Sequence, residues 1–360
     1  MSMKKVFFLI TIFIFISGHL LLFLIGKYYL NIDYFYLIVL TFFLLSASAS
    51  WLIAWRDNLL IRIIYFISGI WGGIILNSLL LFLIFYFLNL QQYIDNLVFW
   101  FFICLIPLLI YEFLAAYLIK TRKVTVYIKD LPNYWENKKI VHFSDLHLGP
   151  VWRMNFYEKL VKKINRLKPS AVFITGDLFD GMESDFSWLH IEEFKIKAPD
   201  GVYYSFGNHD EILGSNQVND LLGRNGIKVL ENEMLEKNGL QIIGLNSFHH
   251  LDYDIKNTVL KQFDSISSKP SILLLHEPIS LDKIRSIGVD LQLSGHSHGG
   301  QMFPFNLVNK LLYSGHDYGL FKKDNFYLNV SSGAGTWGPP LRLFTRSEIV
   351  QITLKKNNNI

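Results

Sequence analysis

The chain has 360 residues, of which 51% are hydrophobic, and its charged side chains give a formal net charge of +4. Its one cysteine, Cys104, excludes disulfides and cysteine-based metal sites. The segment up to Lys123 holds eight basic and four acidic side chains, leaving 26 of each sign after it. Since the C-terminal part is balanced in charge, we expect no nucleic-acid partner.

The first third of the chain contains long apolar runs, each near or above the roughly 20 residues that span a bilayer as a helix. The runs are Val6–Ile25, Tyr34–Ala54, Ile63–Leu88 and Leu97–Ile119. They predict a transmembrane anchor of about four helices over residues 1–123. The first run follows Lys4 and Lys5, as a signal peptide would, but it is long, lacks a small-residue cleavage site and is followed by further runs.

The positions of the basic residues predict the orientation of this anchor, because basic residues favour the cytoplasmic side. With four spans, one side carries all of these residues except Lys27: Lys4, Lys5, Arg56, Arg62, Lys120, Arg122 and Lys123. We therefore predict a multi-pass protein of the inner (plasma) membrane whose C-terminal domain lies in the cytoplasm.

Residues 124–360 alternate short β-type runs with helical patterns, which indicates an α/β domain. A helix is predicted over residues 154–168 and another around Phe186–Ile196. Strands dominate towards the end, which suggests a mixed or second sheet. The strands are predicted at residues 139–144, 171–176, 201–207, 240–245, 271–276, 289–295, 325–331 and 348–354.

Polar side chains of the metal-binding type follow five of these strands. In α/β folds, sites gather at the carboxyl ends of strands. Each residue alone has an ordinary interpretation as a helix cap, a turn residue or a buried histidine. Their repetition at equivalent places predicts a metal site. The residues are Asp145 and His147 in "SDLHLG", Asp177 in "GDLFD", Asn208, His209 and Asp210 in "GNHDE", His276 in "LLLHEP", and His296 and His298 in "GHSHGG".

The order of these blocks resembles the calcineurin-like metallophosphoesterase superfamily. The stretches "GHSHGGQ" and "SSGAGTWGPPLRLFTRSEI" resemble, more narrowly, its membrane-associated bacterial branch, which includes enzymes acting on UDP-diacylglucosamine. The resemblance implies a metallophosphoesterase-type two-sheet α/β sandwich over residues 124–360. An all-α transmembrane domain would precede it.

The resemblance also implies a two-metal site and a role for each residue. Asp145, His147 and His298 would hold one ion, and Asn208, His276 and His296 the other. Asp177 would bridge the two ions. His209 would protonate the leaving oxygen, with Asp210 orienting its imidazole. Imidazole, carboxylate and amide ligands suit Mn, Fe, Zn or Mg, and we favour Mn.

Such a site predicts a dimetal-dependent hydrolase of phosphoester, phosphodiester or pyrophosphate bonds, because two cations neutralise the charge that develops at phosphorus. The expected substrate is a membrane lipid or lipid-linked intermediate, and the expected partner is the bilayer. The alternatives are an anchored phosphodiesterase or phosphatase for soluble nucleotides, and a transport or sensor protein with a regulatory phosphoesterase domain. Substrate contacts are conceivable at His249, His250, Arg342 and Arg346.

Overall fold

The computed structural model describes residues 3–25, 27, 35–89, 97–182, 188–193, 195–247, 269–278, 284–285 and 287–357. The chain divides into two compact units. We call residues 1–117 with 338–342 the helical unit, and residues 118–337 with 343–360 the sheet unit. His249 and His250 lie outside the described residues.

The helical unit is built from four helices: α1 (Met3–Ile25), α2 (Phe35–Trp55), α3 (Leu59–Phe87) and α4 (Leu97–Tyr117). Three stretches are long and apolar enough to cross a membrane, namely Tyr36–Trp55, Leu59–Phe87 and Phe99–Tyr117. In α1 a shorter apolar stretch, Ile12–Leu24, is recognised. The chain is therefore membrane-associated, and the count of four spans stays a prediction.

A few polar side chains are paired inside the helical unit. Asn77 donates its amide to the Glu112 carboxylate at 2.8 Å, and both side chains are fully buried. The backbone N–H of Arg342 donates to the carbonyl of Glu112 at 3.1 Å, and Arg342 is itself fully buried. Arg342 is therefore an interior residue of the helical unit, which differs from the surface phosphate contact considered above.

The sheet unit holds two six-stranded mixed sheets. In the first sheet the strand order is β1-β12-β2-β3-β4-β5. The pair β12–β2 is antiparallel, and the other four neighbouring pairs are parallel. In the second the order is β10-β11-β9-β8-β7-β6, with four parallel strands at its centre. The strands are β1 (Lys120–Ile128), β2 (Lys139–Phe143), β3 (Ala171–Thr175), β4 (Val202–Ser205), β5 (Ile227–Val229), β6 (Glu233–Lys237), β7 (Leu240–Leu245), β8 (Ser271–Leu275), β9 (Leu291–Ser294), β10 (Gly319–Lys323), β11 (Phe326–Val330) and β12 (Glu348–Lys356).

Helices connect or flank these strands: α5 (Met154–Arg166), α6 (Asn208–Leu213), α7 (Ser215–Arg224) and α8 (Phe305–Leu312). The apolar residues of α5 recur at helical spacing, so Leu160 and Ile164 are buried while Lys162 faces outward. Among the described residues, the helix predicted around Phe186–Ile196 is reduced to a single 3-10 turn at Ile191–Glu193.

The core lies between the two sheets. Ile140 and Phe173 of the first sheet belong to one buried cluster with Leu274 and Leu293 of the second. Every one of these side chains is fully buried, and each contributes on the order of 2 kcal/mol by leaving water. The predicted two-sheet α/β fold with an N-terminal helical region is confirmed.

The boundary between the units falls between Tyr117 and Leu118, earlier than the predicted residue 123. The reason is that Lys120–Lys123 form the start of β1, which pairs in parallel with β12. Arg122 donates Nε to both carboxylate oxygens of Glu348 at 3.2 Å, and Nη2 to the Asn329 side chain at 3.0 Å. Arg122, counted above as a residue flanking the membrane, is therefore a structural residue of the sheet unit.

We predict that Arg122→Ala destabilises the sheet unit by about 3 kcal/mol, because it leaves the nearly buried Glu348 carboxylate without its cation. Lys123→Ala, one residue along the same strand and exposed, is the matched control and should change stability by less than about 0.5 kcal/mol. Denaturant unfolding of the two variants measures the difference. Equal stabilities would contradict this role of Arg122.

Candidate metal centre

The predicted ligands come together at the carboxyl ends of strands from both sheets. Parallel neighbouring strands end at the same edge, so residues that follow them in the chain converge. Asp145 and His147 follow β2, Asp177 follows β3, Asn208 and His209 follow β4, His276 follows β8, and His296 and His298 follow β9.

One cluster consists of Asp145, His147 and His298, whose ligand atoms all lie within 4.8 Å of one another. The Nε2 atoms of the two histidines are 3.1 Å apart, and His298 Nε2 is 3.4 Å from an Asp145 carboxylate oxygen. All three residues are buried. These three residues could together hold one metal ion, and their assignment to the first ion stays a prediction.

A second cluster consists of Asp177, His276 and His296 within the same limit. His276 Nε2 lies 3.0 Å from Asp177 Oδ2, and both side chains are almost wholly buried. Asp177 also forms a third cluster with His147 and His209, and its Oδ2 is 3.8 Å from His147 Nε2. Asp177 therefore belongs to two of the three clusters, and its role as a bridging ligand stays a prediction.

The chemistry of these residues fits a pair of divalent cations. Imidazole, carboxylate and amide groups without thiolate are the set that Mn, Fe, Zn and Mg share. The buried side-chain oxygen Oδ1 of Asn208, at the start of α6, has no hydrogen-bond partner among the described residues. A buried polar atom that lacks a partner costs free energy, so Asn208 is suited to hold a cation.

The Nδ1 atom of His276 has a backbone hydrogen-bond partner. Its Nδ1 lies 2.8 Å from the backbone carbonyl of Thr175, which can accept a hydrogen bond from the ring. This bond would fix the tautomer and leave Nε2 free to face the cation. Thr175 was not singled out from sequence, because a backbone acceptor has no sequence signal.

The electrostatics of the centre suit cation binding. Burial lowers the pKa of His276, but the carboxylates of Asp177 and Asp145 raise it by more, so its pKa lies well above its usual value. Burial raises the pKa of Asp177, yet the imidazoles of His276, His147 and His209 reverse that effect and hold its pKa below the usual value. A cation that binds these residues must therefore displace protons.

His209 lies at the rim of the centre. Its backbone N–H donates to Asp177 Oδ1 at 2.9 Å, and its Nδ1 lies 2.6 Å from the carbonyl oxygen of Asp180. Its ring contacts those of His147 and Trp337 edge-on, with centroids 4.9 and 6.0 Å away. The ring is only half-buried, which leaves it reachable by a substrate.

Asp210 has a different set of contacts from the predicted one. Its carboxylate accepts hydrogen bonds from the backbone N–H groups of Asp177 at 2.6 Å, Gly207 at 2.9 Å and Phe179 at 3.2 Å. The imidazole of His209 is instead oriented by the Asp180 carbonyl. Asp210 thus fixes the backbone around Asp177, because a side chain at the first turn of a helix points back at preceding N–H groups.

Sequence reasoning missed Asp180, although it stands three residues after Asp177 in the quoted "GDLFD". Its carboxylate oxygen lies 3.4 Å from His147 Nδ1, while its carbonyl faces His209. A second acid at this spacing from a ligand was the available signal. Trp337, beside His209, carried no signal of this kind.

Five of the predicted ligands have left-handed backbone conformations. The φ angles lie between 50° and 66° for Asp145, His147, Asp177, His296 and His298. Such a conformation costs a non-glycine residue about 1–3 kcal/mol and persists only where the surroundings impose it. The structure therefore stores strain where it aims the ligands inward.

The sequence of this chain is similar to those of known metal-dependent phosphoesterases. Residues 138–300 match the sequence profile described as calcineurin-like phosphoesterase. A metallophosphoesterase of Aquifex aeolicus is 33% identical over 255 residues, which cover 69% of this chain and 97% of that protein. This chain belongs to the calcineurin-like phosphoesterase family.

Two other relatives extend the comparison. A metallophosphoesterase of Campylobacter jejuni is 39% identical over 243 residues, and the match spans 66% of this chain but 64% of that protein. A transmembrane protein with a metallophosphoesterase domain from Bos taurus is 29% identical over 252 residues, covering 64% of this chain and 56% of that protein. The family supports the predicted metal-dependent phosphohydrolase, and this relative agrees with membrane association.

The close approach of Gly207 to Asp177 gives a test of the centre. A Cβ on Gly207 would lie 2.2 Å from Asp177 Oδ1, so Gly207→Ala must displace this carboxylate. We expect Gly207→Ala to lose bound metal and about 1–3 kcal/mol of stability.

Gly223→Ala is the matched control, because a Cβ on Gly223 would meet no atom within 4 Å. Metal stoichiometry and thermal unfolding of both variants are the measurements. A Gly207→Ala protein with its full metal content would show that Asp177 does not need its observed position.

Proposed function

We propose that this chain is a membrane-anchored, dimetal-dependent phosphohydrolase whose substrate is a phosphoester, phosphodiester or pyrophosphate of a membrane lipid or lipid-linked intermediate. The observation that carries the chemistry is the set of three ligand clusters, two of which share Asp177 and two of which share His147. In this proposal Asp145, His147 and His298 hold one cation and Asn208, His276 and His296 the other. When bound, the two cations, with Mn²⁺ favoured, would supply Lewis-acid stabilisation of the charge at phosphorus.

Side chains of the sheet unit would donate the proton to the leaving group and hold the centre in place. His209, half-buried and held at Nδ1 by the Asp180 carbonyl, has its Nε2 available to donate a proton to the leaving oxygen. Asp210 would keep Asp177 and the start of α6 in register through its three backbone hydrogen bonds. Since Cys104 lies in α4 of the helical unit, the sheet unit contains no cysteine nucleophile.

A lipid-type substrate is supported by the membrane association and by the short connection between the units. Helix α4 ends at Tyr117 and β1 begins at Lys120, so two residues join a candidate membrane span to the first strand of the sheet unit. At no more than about 3.6 Å per residue, such a connection has little reach. A short connection of this kind is what a substrate whose phosphate stands at the bilayer surface would require.

The proposed roles are tested by three substitutions. Asp177→Asn and His276→Ala are expected to lose metal and activity together, because both side chains are ligands. His209→Ala should retain metal while hydrolysis slows by about 10²- to 10⁴-fold, the usual value of general-acid assistance.

The measurements are metal content and hydrolysis of a panel of phospholipids, nucleotide-sugar lipids and soluble nucleotides, with Mn²⁺ supplied or chelated. Loss of metal in His209→Ala equal to that in His276→Ala would move His209 into the ligand set. Full activity after verified metal removal would overturn the metal-dependent mechanism, and turnover of soluble nucleotides alone would overturn the lipid substrate.

We further propose that the sheet unit faces the cytoplasm. The support is the set of basic residues Lys4, Lys5, Arg56 and Arg62, against Lys27 on the other side of a four-span arrangement. Arg122 is paired with Glu348 in the sheet unit, so it is left out of this set of orienting residues.

The orientation is tested by reporters fused after Ile360. A cytoplasmic C-terminus predicts fluorescence from a cytoplasmic reporter and no activity from a fused alkaline phosphatase. The opposite pair of results would place the sheet unit outside the cytoplasm and redirect the substrate search.

A further inference from the structure

Helix α8 leaves two leucines exposed on its outer face. Its buried side chain is Asn309, whose amide donates to the backbone carbonyl of Ser297, between His296 and His298. Phe305, Val308 and Leu312 are half-buried. Leu307 and Leu311 are 50% and 76% exposed. Asn309 thus fastens the helix to the loop of the predicted ligands, while Leu307 and Leu311 face outward.

Two further exposed apolar residues contact the segment that joins His298 to α8. Phe344 is 71% exposed, and its ring lies 5.7 Å from that of Phe303, which directly precedes Pro304 at the start of α8. Trp337 is 49% exposed, and its backbone exchanges two hydrogen bonds of 3.0 Å with the side chain of Gln301. We call Leu307, Leu311, Trp337 and Phe344 the apolar rim.

The apolar rim reaches the metal centre. The Trp337 ring lies edge-on to the ring of His209, with centroids 6.0 Å apart. The rim therefore extends from the proposed proton donor, across the segment after the ligand His298, to the outer face of α8. A molecule that covers the rim would lie next to the reacting phosphate.

The exposed charge on α8 is positive. Lys310, next to Leu311, is the exposed charged side chain of this helix. Exposed leucine, phenylalanine and tryptophan with a basic residue among them form a pattern by which proteins attach to an anionic bilayer surface.

We propose that the apolar rim inserts into the interfacial layer of the bilayer and presents the metal centre to lipid head groups. The bilayer is favoured over other occupants because the chain is membrane-associated and because two residues separate α4 from β1. In addition, residues 338–342, which directly follow Trp337, belong to the helical unit. Tryptophan is enriched at the level of the head groups, which agrees with the position of Trp337 at the edge of the rim.

This inference deepens the proposed lipid substrate and rests on membrane association, but its test does not depend on activity. Cys104→Ser removes the native thiol, and Leu311→Cys or Phe344→Cys is then labelled with an environment-sensitive fluorophore. The full chain is placed in nanodiscs of phosphatidylethanolamine and phosphatidylglycerol, with or without doxyl-labelled lipid. The matched control is Gln217→Cys, an exposed position on α7 of the same unit.

The expected result is several-fold stronger quenching by doxyl lipid at positions 311 and 344 than at 217, with metal content unchanged in all variants. Two independent rim positions guard against a local effect of one substitution. Equal, weak quenching at all three positions would overturn the proposal. A label at 311 that is shielded from water but not quenched by doxyl lipid, with energy transfer between labelled copies, would also overturn it and assign the rim to a second chain.

The outcome is separable from that of the proposed function. Lipid quenching at the rim together with hydrolysis of soluble nucleotides alone would retain the bilayer contact and reject the lipid substrate. The reverse pair, lipid hydrolysis without quenching, would retain the substrate and reject the rim as its support.

Discussion

The Asp177 carboxylate is the group around which the rest of the centre is arranged. One oxygen accepts the backbone N–H of His209 and the other lies 3.0 Å from His276 Nε2. Its own backbone N–H is held by Asp210, and its carbonyl accepts from the N–H of His147. A buried carboxylate is costly unless it is paired. The surrounding N–H groups and histidines meet that requirement, so the loops after β2, β3, β4 and β8 depend on one another.

Sequence reasoning picked out the residues that meet in the three clusters because the physical rule was simple. Buried apolar runs ended at polar residues, and parallel strands bring their carboxyl ends together; β7 begins and ends as predicted, at Leu240 and Leu245. The partners of Asp210 and His209 could not be found in this way. A carboxylate five residues after a strand end, as Asp210 is after β4, reaches either an imidazole or backbone N–H groups. The choice depends on local chain direction, which spacing does not encode.

The C-terminal end of the membrane anchor was harder to predict from sequence than the strands were. Lys120, Arg122 and Lys123 follow an apolar run, and basic residues there ordinarily mark a membrane boundary. In the structure they begin β1, and the Arg122 guanidinium is paired with Glu348, more than 200 residues later in the chain. Such a partner has no local signal. Helix α8 was also missed, although Phe305, Val308 and Leu312 recur at helical spacing.

Helix α8 lies between the strained loop of His296 and His298 and the outer surface of the sheet unit. His296 and His298 have left-handed backbone conformations, which need rigid support to persist. Asn309 supplies part of that support by binding the carbonyl of Ser297 between them. Because Asn309 is directed to this loop, Leu307 and Leu311 are left on the outer face of α8, where contact with water contributes no stability. If the outer face of α8 lies against lipid, one helix does two things: Asn309 supports the loop of His296 and His298, and the exposed leucines are covered.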